Sequence, residues 1–195
     1  GYILKKYGGG VVVTTVEASM CVDTMAAKFK GKVVRTKVGD VYVSEAIAQN
    51  AAVFGGEPCG AWVHPQIQYC PDGPLSGVML LQALEDEGKS LHEFVADVPV
   101  YVTLREKVSC KNDLKYQTVI GLEEVLIKNY GEKSDLSTVD GVRLSLSDGW
   151  LLIRASGTEP LIRITVEGES LKAARDIMEK SIAIVKSQIK KGEEK

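Results

Sequence analysis

Six consecutive β-branched residues at positions 11–16 (VVVTTV) leave few folds open to this chain. Such a run is typical of a strand buried on both faces, in a sheet covered by helices. Residues 19–30 then carry apolar side chains at helical spacing, Gly31 suits a left-handed helix C-cap, and residues 32–36 (KVVRT) form a second strand-like run. The order strand, helix, strand predicts a βαβ unit in a parallel or mixed α/β sheet.

The rest of the first half combines helical segments with a glycine-rich loop. Helices are predicted at residues 41–50, 75–87 and 90–95. Residues 54–62 (FGGEPCGAW) contain three glycines and a proline, so we expect no regular element there. The pattern of the chain changes after residues 97–99 (DVP), and we place a domain boundary at this point.

The second half has the pattern of an antiparallel sheet. Strands are predicted at residues 100–104, 141–146, 150–153 and 161–166, and helices at residues 113–130 and 170–190. A turn signal at residues 147–149 (SDG) joins the second and third of these strands in a hairpin. We therefore predict an α/β protein with an N-terminal three-layer mixed-sheet α/β domain (residues 1–97). A smaller α+β domain with an antiparallel sheet and two helices follows (residues 98–195).

Composition excludes several classes of partner. The formal net charge of −2 over 195 residues gives no basic field that would attract nucleic acid or an anionic membrane, so neither partner is expected. No apolar run reaches the roughly 18 residues that a bilayer requires, and the first residues lack a signal-peptide pattern. We expect a soluble cytoplasmic protein.

The cysteines and histidines form no pattern typical of a metal site. Cys21, Cys59, Cys70 and Cys110 are widely spaced and include no CxxC pair. We expect neither a disulfide framework nor a zinc site, and mostly buried thiols. His64 has no second candidate ligand at metal spacing, so we expect a packed or solvated imidazole.

Residues 154–160 (RASGTEP) lie between two predicted strands and offer groups that bind an anion. Arg154 provides a planar guanidinium that matches phosphate oxygens, and Ser156 and Thr158 provide hydroxyl donors. Gly157 allows the backbone to approach a ligand closely. This loop therefore suits phosphate, although an ordinary hairpin turn with a surface arginine explains the same residues equally well.

A second candidate site lies in the first half. Glu57 is the one carboxylate in the glycine-rich loop, and it can accept hydrogen bonds from two neighbouring sugar hydroxyls. Asp40 ends the segment 35–40 (RTKVGD), which follows a predicted strand, where ligands of open α/β sheets bind. From the residues alone, Glu57 in a flexible solvated loop and Asp40 as a helix N-cap are the better-supported alternatives.

Both segments resemble parts of the α-D-phosphohexomutases, which move a phosphate between the 1- and 6-positions of a hexose. RASGTEP resembles the phosphate-binding signature of their last domain, and RTKVGD resembles a loop of their third domain that faces the active-site cleft. GEPCG resembles the sugar-recognition loop of the third domain, whose pattern is Glu, any residue, Ser, Gly, His. Cys59 stands at the Ser position and Ala61 at the His position, so the histidine contact to the sugar is missing.

The resemblance covers the whole chain as domains three and four of a four-domain architecture, in the phosphoglucosamine mutase or phosphomannomutase branch. It implies phosphosugar binding through Glu57, Cys59, Gly60 and Asp40. It implies phosphate binding through Arg154, Ser156, Gly157 and Thr158. The family's phosphoserine loop and Mg²⁺ loop belong to the first two domains, and neither pattern is present here.

These domains are therefore expected as missing partners in the same polypeptide, with Mg²⁺ as their cofactor. A hexose 1,6-bisphosphate is the expected intermediate. We expect no catalytic residue and no metal ligand in this chain, which alone should be inactive. The alternatives are a non-catalytic phosphosugar-binding module and an assembly domain that binds no sugar phosphate.

Overall fold

The computed structural model describes residues 1–131 and 135–194. The chain divides into two compact units, Gly1–Val100 and Tyr101–Lys195. The boundary expected after residue 97 stays a prediction, which limited proteolysis with mapping of the first cleavage site will check. None of the described helices is long and apolar enough to span a lipid bilayer.

Unit 1 contains a four-stranded mixed sheet. Its elements are α1 (Tyr2–Tyr7), β1 (Gly10–Thr15), α2 (Cys21–Lys28), β2 (Gly31–Thr36), α3 (Asp40–Gln49), β3 (Phe54–Gly56), β4 (Trp62–Val63), α4 (Gly73–Glu87) and α5 (Leu91–Val95). The strand order is β2-β1-β3-β4, with β1 parallel to β2 and β3 and with β4 antiparallel to β3. The predicted βαβ unit and mixed sheet are confirmed.

Helices α2 and α3 lie on opposite faces of this sheet. The chain leaves β1 towards one edge and then returns across β1 to β3, so two right-handed crossovers place their helices on different sides. Residues of β1 show both faces: Val12 lines a cavity of about 410 Å³ with Met25 of α2, whereas Val13 packs against Val43 and Ile47 of α3. The central strand β1 is therefore buried on both faces, as its β-branched run predicts.

Two glycines of unit 1 are required by close packing. Gly31, predicted as a helix C-cap, begins β2, and Lys30 takes the left-handed conformation instead, with φ 57°. The C-cap prediction is therefore wrong. Glycine is required at this position because a Cβ on Gly31 would lie 2.6 Å from Leu4 Cδ1. Strand β3 occupies part of the segment predicted to be irregular, and a Cβ on Gly55 would lie 2.5 Å from Ile47 Cδ1.

Unit 2 contains a five-stranded antiparallel sheet. Its elements are β5 (Val102–Ser109), α6 (Lys115–Ile120), α7 (Glu123–Tyr130), β6 (Asp135–Ser137), β7 (Val142–Ser145), β8 (Gly149–Ala155), β9 (Leu161–Gly168) and α8 (Leu171–Glu193). The strand order is β5-β9-β8-β7-β6. Ile153, Ile162 and Ile164 of the sheet form one core with Leu126 and Val185 of the helices. The predicted α+β fold class is confirmed.

The helix predicted at residues 113–130 is two helices. Gly121 interrupts it, and a Cβ at this position would lie 2.5 Å from Gln188 Nε2 of α8. The Gln188 amide also donates a hydrogen bond to the Gly121 carbonyl, 3.1 Å away. Gly121 is the C-cap of α6, and the Gln188 contact holds this break against α8.

The thiols and His64 differ in how far they match expectation. Cys59 and Cys70 are exposed, Cys21 is half-buried and Cys110 is buried, so the prediction of mostly buried thiols is wrong. His64 is packed in unit 1, 4% exposed, with its Nε2 3.1 Å from Ser76 Oγ. We expected a packed or a solvated imidazole, and the structure shows a packed one.

Candidate functional site

The sugar-loop candidates lie where the parallel strands of unit 1 end. The sheet reverses its strand order between β1 and β3, and ligands of open α/β sheets bind outside the carboxyl ends of such strands. Glu57 follows β3 directly, and its Oε1 accepts a hydrogen bond from the N–H of Gly39, 2.9 Å away. Because Gly39 caps the N-terminus of α3, the carboxylate also lies at the positive end of that helix. Glu57 is therefore anchored, not free in a solvated loop.

This hydrogen bond brings together the two segments that were predicted to form a sugar site. Gly60 closes the loop, with φ 92° and its N–H donating to the Glu57 carbonyl at 3.0 Å. Cys59, Gly60 and Asp40 are all exposed. Asp40 is the first helical residue of α3 and not its N-cap, and its carboxylate accepts from the N–H of Val41 at 2.9 Å. The N-cap interpretation of Asp40 is therefore wrong by one residue.

A cavity of about 370 Å³ lies beside Glu57. Its lining includes Ser19 from the loop after β1, Pro58 from the glycine-rich loop, and Trp62. Trp62 is 38% exposed and makes an edge contact with Phe54, with ring centroids 6.1 Å apart. A carboxylate next to an apolar wall with an exposed aromatic ring suits the polar edge and the flat face of a sugar ring.

The phosphate-loop candidates lie between β8 and β9. The two strands pair from Gly149 and Gly168 up to Ala155 and Ile162, so the loop is held at both ends. Ser156 is 3% exposed, and its Oγ accepts a hydrogen bond from the N–H of Glu159 at 3.2 Å. The hydroxyl of Ser156 therefore closes the turn from inside.

Gly157 and Thr158 form the exposed tip of this loop. Within residues 1–131 and 135–194, no group accepts a hydrogen bond from either of their backbone N–H groups. A Cβ on Gly157 would meet no atom within 4 Å. Two backbone donors and open space at one loop tip are an arrangement that binds anions.

The register of the sheet places three cations in one row next to the loop. Arg154 of β8 lies opposite Arg163 of β9, which lies opposite Lys107 of β5. Like charges opposite one another on neighbouring strands repel. Arg154 Nη2 is 2.7 Å from Asp140 Oδ2, while Glu159 faces Arg163 at 2.7 Å and Lys107 at 3.7 Å. Three cations and two carboxylates leave one positive charge, which favours an anion.

Lys115 supports the loop from the protein interior. It lies on α6, is 4% exposed, and its Nζ donates to the carbonyls of Ser156 at 2.5 Å and Glu159 at 3.1 Å. The carbonyl of Pro160 accepts from the N–H of Cys110 at 3.0 Å, which ties the end of the loop to the end of β5. Side chains and backbone from outside the RASGTEP motif therefore fix its shape.

Sequence reasoning missed four charged residues that the structure brings to this loop: Lys107, Lys115, Asp140 and Arg163. The sequence contains patterns from which two of them, Arg163 and Lys115, could have been predicted. Arg154 and Arg163 are equally far from the centre of the loop, as residues paired across a hairpin must be. Lys115 precedes Thr118 and Val119 by three and four residues, which places it on the buried face of its helix.

The described part of the chain shows no cluster of side chains typical of a metal site. Among these residues, no three His, Cys, Asp or Glu side chains come close enough together to hold a metal ion. The groups at the tip of the phosphate loop are backbone N–H donors with cations beside them, which suit an anion and not Mg²⁺.

Two family models together match nearly the whole chain. Residues 1–101 match the model described as phosphoglucomutase/phosphomannomutase, alpha/beta/alpha domain III. Residues 100–184 match the model described as phosphoglucomutase/phosphomannomutase, C-terminal domain.

Curated relatives carry the name of one enzyme. A "Probable phosphoglucosamine mutase" of Methanopyrus kandleri is 48% identical over 184 residues, which cover 94% of this chain and 40% of the relative. The phosphoglucosamine mutase of Methanocaldococcus jannaschii is 45% identical over 191 residues, 96% of this chain and 42% of the relative. The chain thus spans about 40% of the length of the curated relatives it matches.

Solved structures share the fold at low sequence identity. A phosphoglucomutase/phosphomannomutase family protein of Burkholderia thailandensis superposes with a TM-score of 0.79 at 20% identity, over 95% of this chain and 39% of that one. The N-acetylphosphoglucosamine mutase of Aspergillus fumigatus, in complex with GlcNAc-6P and magnesium, superposes with a TM-score of 0.63 at 17% identity, over 94% of this chain and 44% of that one.

Proposed function

Because this chain belongs to the phosphoglucomutase/phosphomannomutase family, we propose that it supplies the sugar and phosphate recognition of a phosphoglucosamine mutase. The full-length protein would interconvert the 1- and 6-phosphates of glucosamine. We propose glucosamine rather than mannose as the sugar because curated relatives more than 40% identical to this chain carry the name phosphoglucosamine mutase. The main support for this proposal is the loop between β8 and β9, whose exposed tip presents the backbone N–H groups of Gly157 and Thr158.

In this proposal the loop holds the phosphate that is not being transferred. The N–H groups of Gly157 and Thr158 and the hydroxyl of Thr158 donate to its oxygens, and Arg154 neutralises its charge. Ser156 acts from inside by closing the turn that presents these donors. Charge neutralisation and positioning are the main contributions that a protein makes to phosphoryl transfer.

The glycine-rich loop of unit 1 positions the sugar ring. Oε1 of Glu57 is held by Gly39, so the carboxylate has a fixed direction from which Oε2 can accept a hydrogen bond from a ring hydroxyl. Cys59, Gly60 and Asp40 are exposed around it and complete the polar edge of the site. Cys59 and Ala61 replace the Ser and His of the family pattern, so backbone groups and Glu57 must provide most of the contacts to the ring.

The chemical step takes place on groups that this chain does not provide. The family relationship implies a phosphoserine donor and a sugar bisphosphate that turns over between two transfers. Because the described residues form no metal cluster, we assign no step to Mg²⁺ here. This chain binds and orients the sugar phosphate, and alone it is expected to give no turnover.

Comparing Arg154→Ala with Lys191→Ala in the full-length protein tests the proposal. Both variants lose one positive charge, but Lys191 lies in the exposed last turn of α8. A charge-assisted hydrogen bond contributes about 1.5–3 kcal/mol, so Arg154→Ala should raise the Kd of glucosamine 6-phosphate roughly ten- to hundredfold. Lys191→Ala should leave it near the wild-type value.

Titrations at two salt concentrations separate local from general electrostatics, since screening weakens exposed charges most. Equal losses in the two variants, with equal salt dependence, would remove the loop from the binding site. Tight phosphosugar binding without turnover by the full-length protein would instead identify a non-catalytic binding module.

A further inference from the structure

Lys115 is a buried cation without a carboxylate partner in the described structure. Its side chain is 4% exposed, and its ammonium makes two hydrogen bonds, both to backbone carbonyls of the phosphate loop. Neither residues 1–131 nor residues 135–194 provide an ion pair for it. The ring of Tyr116 also contacts this ammonium, with its centroid 5.3 Å from Nζ. A buried charge without a counter-ion is costly, so the position requires an explanation beyond general packing.

Closing the loop does not require this ammonium. The N–H of Ser156 donates to the Leu161 carbonyl at 3.0 Å, which continues the hairpin ladder. The N–H of Glu159 donates to Ser156 Oγ, and the N–H of Cys110 donates to the Pro160 carbonyl. Neutral hydrogen bonds thus close the turn, and the two bonds from Lys115 act on the orientation of single peptides within it.

The geometry of the peptide bond shows what Lys115 adds. The Ser156–Gly157 peptide is trans, so its C=O and N–H point in opposite directions. Lys115 binds the C=O from the buried side. The N–H of Gly157 is therefore directed to the exposed side of the loop, where it has no partner among the described residues.

We propose that Lys115 is a positioning residue for phosphate: it fixes the Ser156–Gly157 peptide so that the Gly157 N–H faces the ligand, and its charge is balanced by the bound anion. A flipped peptide would instead present the Ser156 carbonyl to the phosphate and repel it. This inference rests on the proposed function of the loop. It assigns no contact between Lys115 and the substrate, because two carbonyls separate them.

The test uses the full-length protein with three variants and inorganic phosphate as the probe. Lys115→Met removes every donor, Lys115→Gln keeps a neutral donor, and Lys111→Met is the matched control on an exposed lysine paired with Glu193. We expect Lys115→Met to raise the Kd of phosphate and the KM of glucosamine 6-phosphate about tenfold, with a smaller change in kcat. Lys115→Gln should lie between Met and wild type, and Lys111→Met should match wild type.

The amide-proton chemical shift of Gly157 separates positioning from stability. In the wild type, phosphate should shift this signal on titration, and in Lys115→Met the shift should be largely lost. A lower Tm with wild-type phosphate affinity, or a wild-type Gly157 signal unmoved by saturating phosphate, would overturn the inference. Should Lys115→Met fail to fold, Lys115→Gln decides by the same affinities.

Arg154→Ala in the same titration distinguishes the two proposals. If it leaves phosphate affinity unchanged, the proposed function itself fails. If Arg154→Ala weakens binding and the Lys115 variants do not, only the role of Lys115 fails.

Discussion

The two candidate recognition loops are held in place very differently. The phosphate loop continues a strand ladder at both ends, and a buried serine and a buried lysine fix it from inside. The glycine-rich loop of unit 1 joins two much shorter paired strands, β3 with three residues and β4 with two, and the side chain of Glu57 ties it to Gly39 of a neighbouring loop. The tips of both loops, Cys59 with Gly60 and Gly157 with Thr158, are exposed.

This difference matches what each loop would recognise. A phosphate group has one shape and a fixed set of acceptor oxygens. A preorganised loop can therefore bind it without losing conformational entropy at each binding event. A sugar ring that is presented in two orientations offers different hydroxyls, and a loop with one fixed carboxylate can adapt around that point. Rigidity in unit 2 and adaptability in unit 1 are thus the features to test.

The largest effect that separates the two loops should come from Glu57→Gln. The amide is nearly the same size but loses the charge that attracts the Gly39 N–H and a ring hydroxyl. We expect the Kd of glucosamine 6-phosphate to rise roughly tenfold or more in the full-length protein, because hydrogen bonds to charged groups contribute about 1.5–3 kcal/mol. The Kd of inorganic phosphate should not change.

Calorimetric titration of both ligands measures this pattern, with Glu45→Gln on the exposed face of α3 as the control. An equal loss of affinity for both ligands would show that the two loops do not divide recognition between sugar and phosphate.

A thiol-labelling experiment compares the surfaces of the two units. Cys59 lies exposed in the sugar loop, whereas Cys110 is buried beside the phosphate loop, and burial raises the pKa of its thiol. Because the thiolate is the reactive form, Cys59 should react with iodoacetamide roughly tenfold faster or more. Glucosamine 6-phosphate should then protect Cys59 but not Cys70, which is exposed outside the loop.

Mass spectrometry of each cysteine peptide over time gives the rates. Equal protection of Cys59 and Cys70 would argue against a ligand at the glycine-rich loop.

The smallest effect concerns pH. Burial lowers the pKa of His64 in the folded protein, and the charge of Asp72 opposes this shift only in part. The unfolded imidazole has a pKa near 6.5, so the unfolded state binds the proton more readily and stability falls as pH drops below about that value. We expect His64→Gln to reduce the loss of Tm between pH 7 and 5 by a few degrees, while His92→Gln on exposed α5 should not. Identical pH profiles for wild type and His64→Gln would contradict this account.

Local sequence patterns predicted the elements that carry the site, but not the contacts that shape it. The β-branched runs identified β1 and β2, and the turn signal identified the hairpin of β7 and β8, because neighbouring residues determine both. Strand β3 was missed, since two glycines give it little intrinsic strand preference. It forms because β1 offers a partner and Ile47 fills the space beside it.

The contacts that support the phosphate loop could not be predicted from the sequence for a different reason. Lys115 reaches Ser156 across 41 residues of sequence, and Asp140, just before β7, pairs with Arg154 near the end of β8. The first contact depends on how α6 packs on the sheet, and the second on the register of β7 with β8. The motif showed which group could bind phosphate, whereas only the structure shows what holds it in shape.

The most direct measurement is a crystal structure of the full-length protein with glucosamine 6-phosphate bound. We expect phosphate oxygens within roughly 2.7–3.2 Å of the Gly157 nitrogen and of the Arg154 guanidinium, with a ring hydroxyl at a similar distance from the Glu57 carboxylate. A phosphate bound away from the loop between β8 and β9, with Gly157 and Thr158 left in solvent, would contradict it.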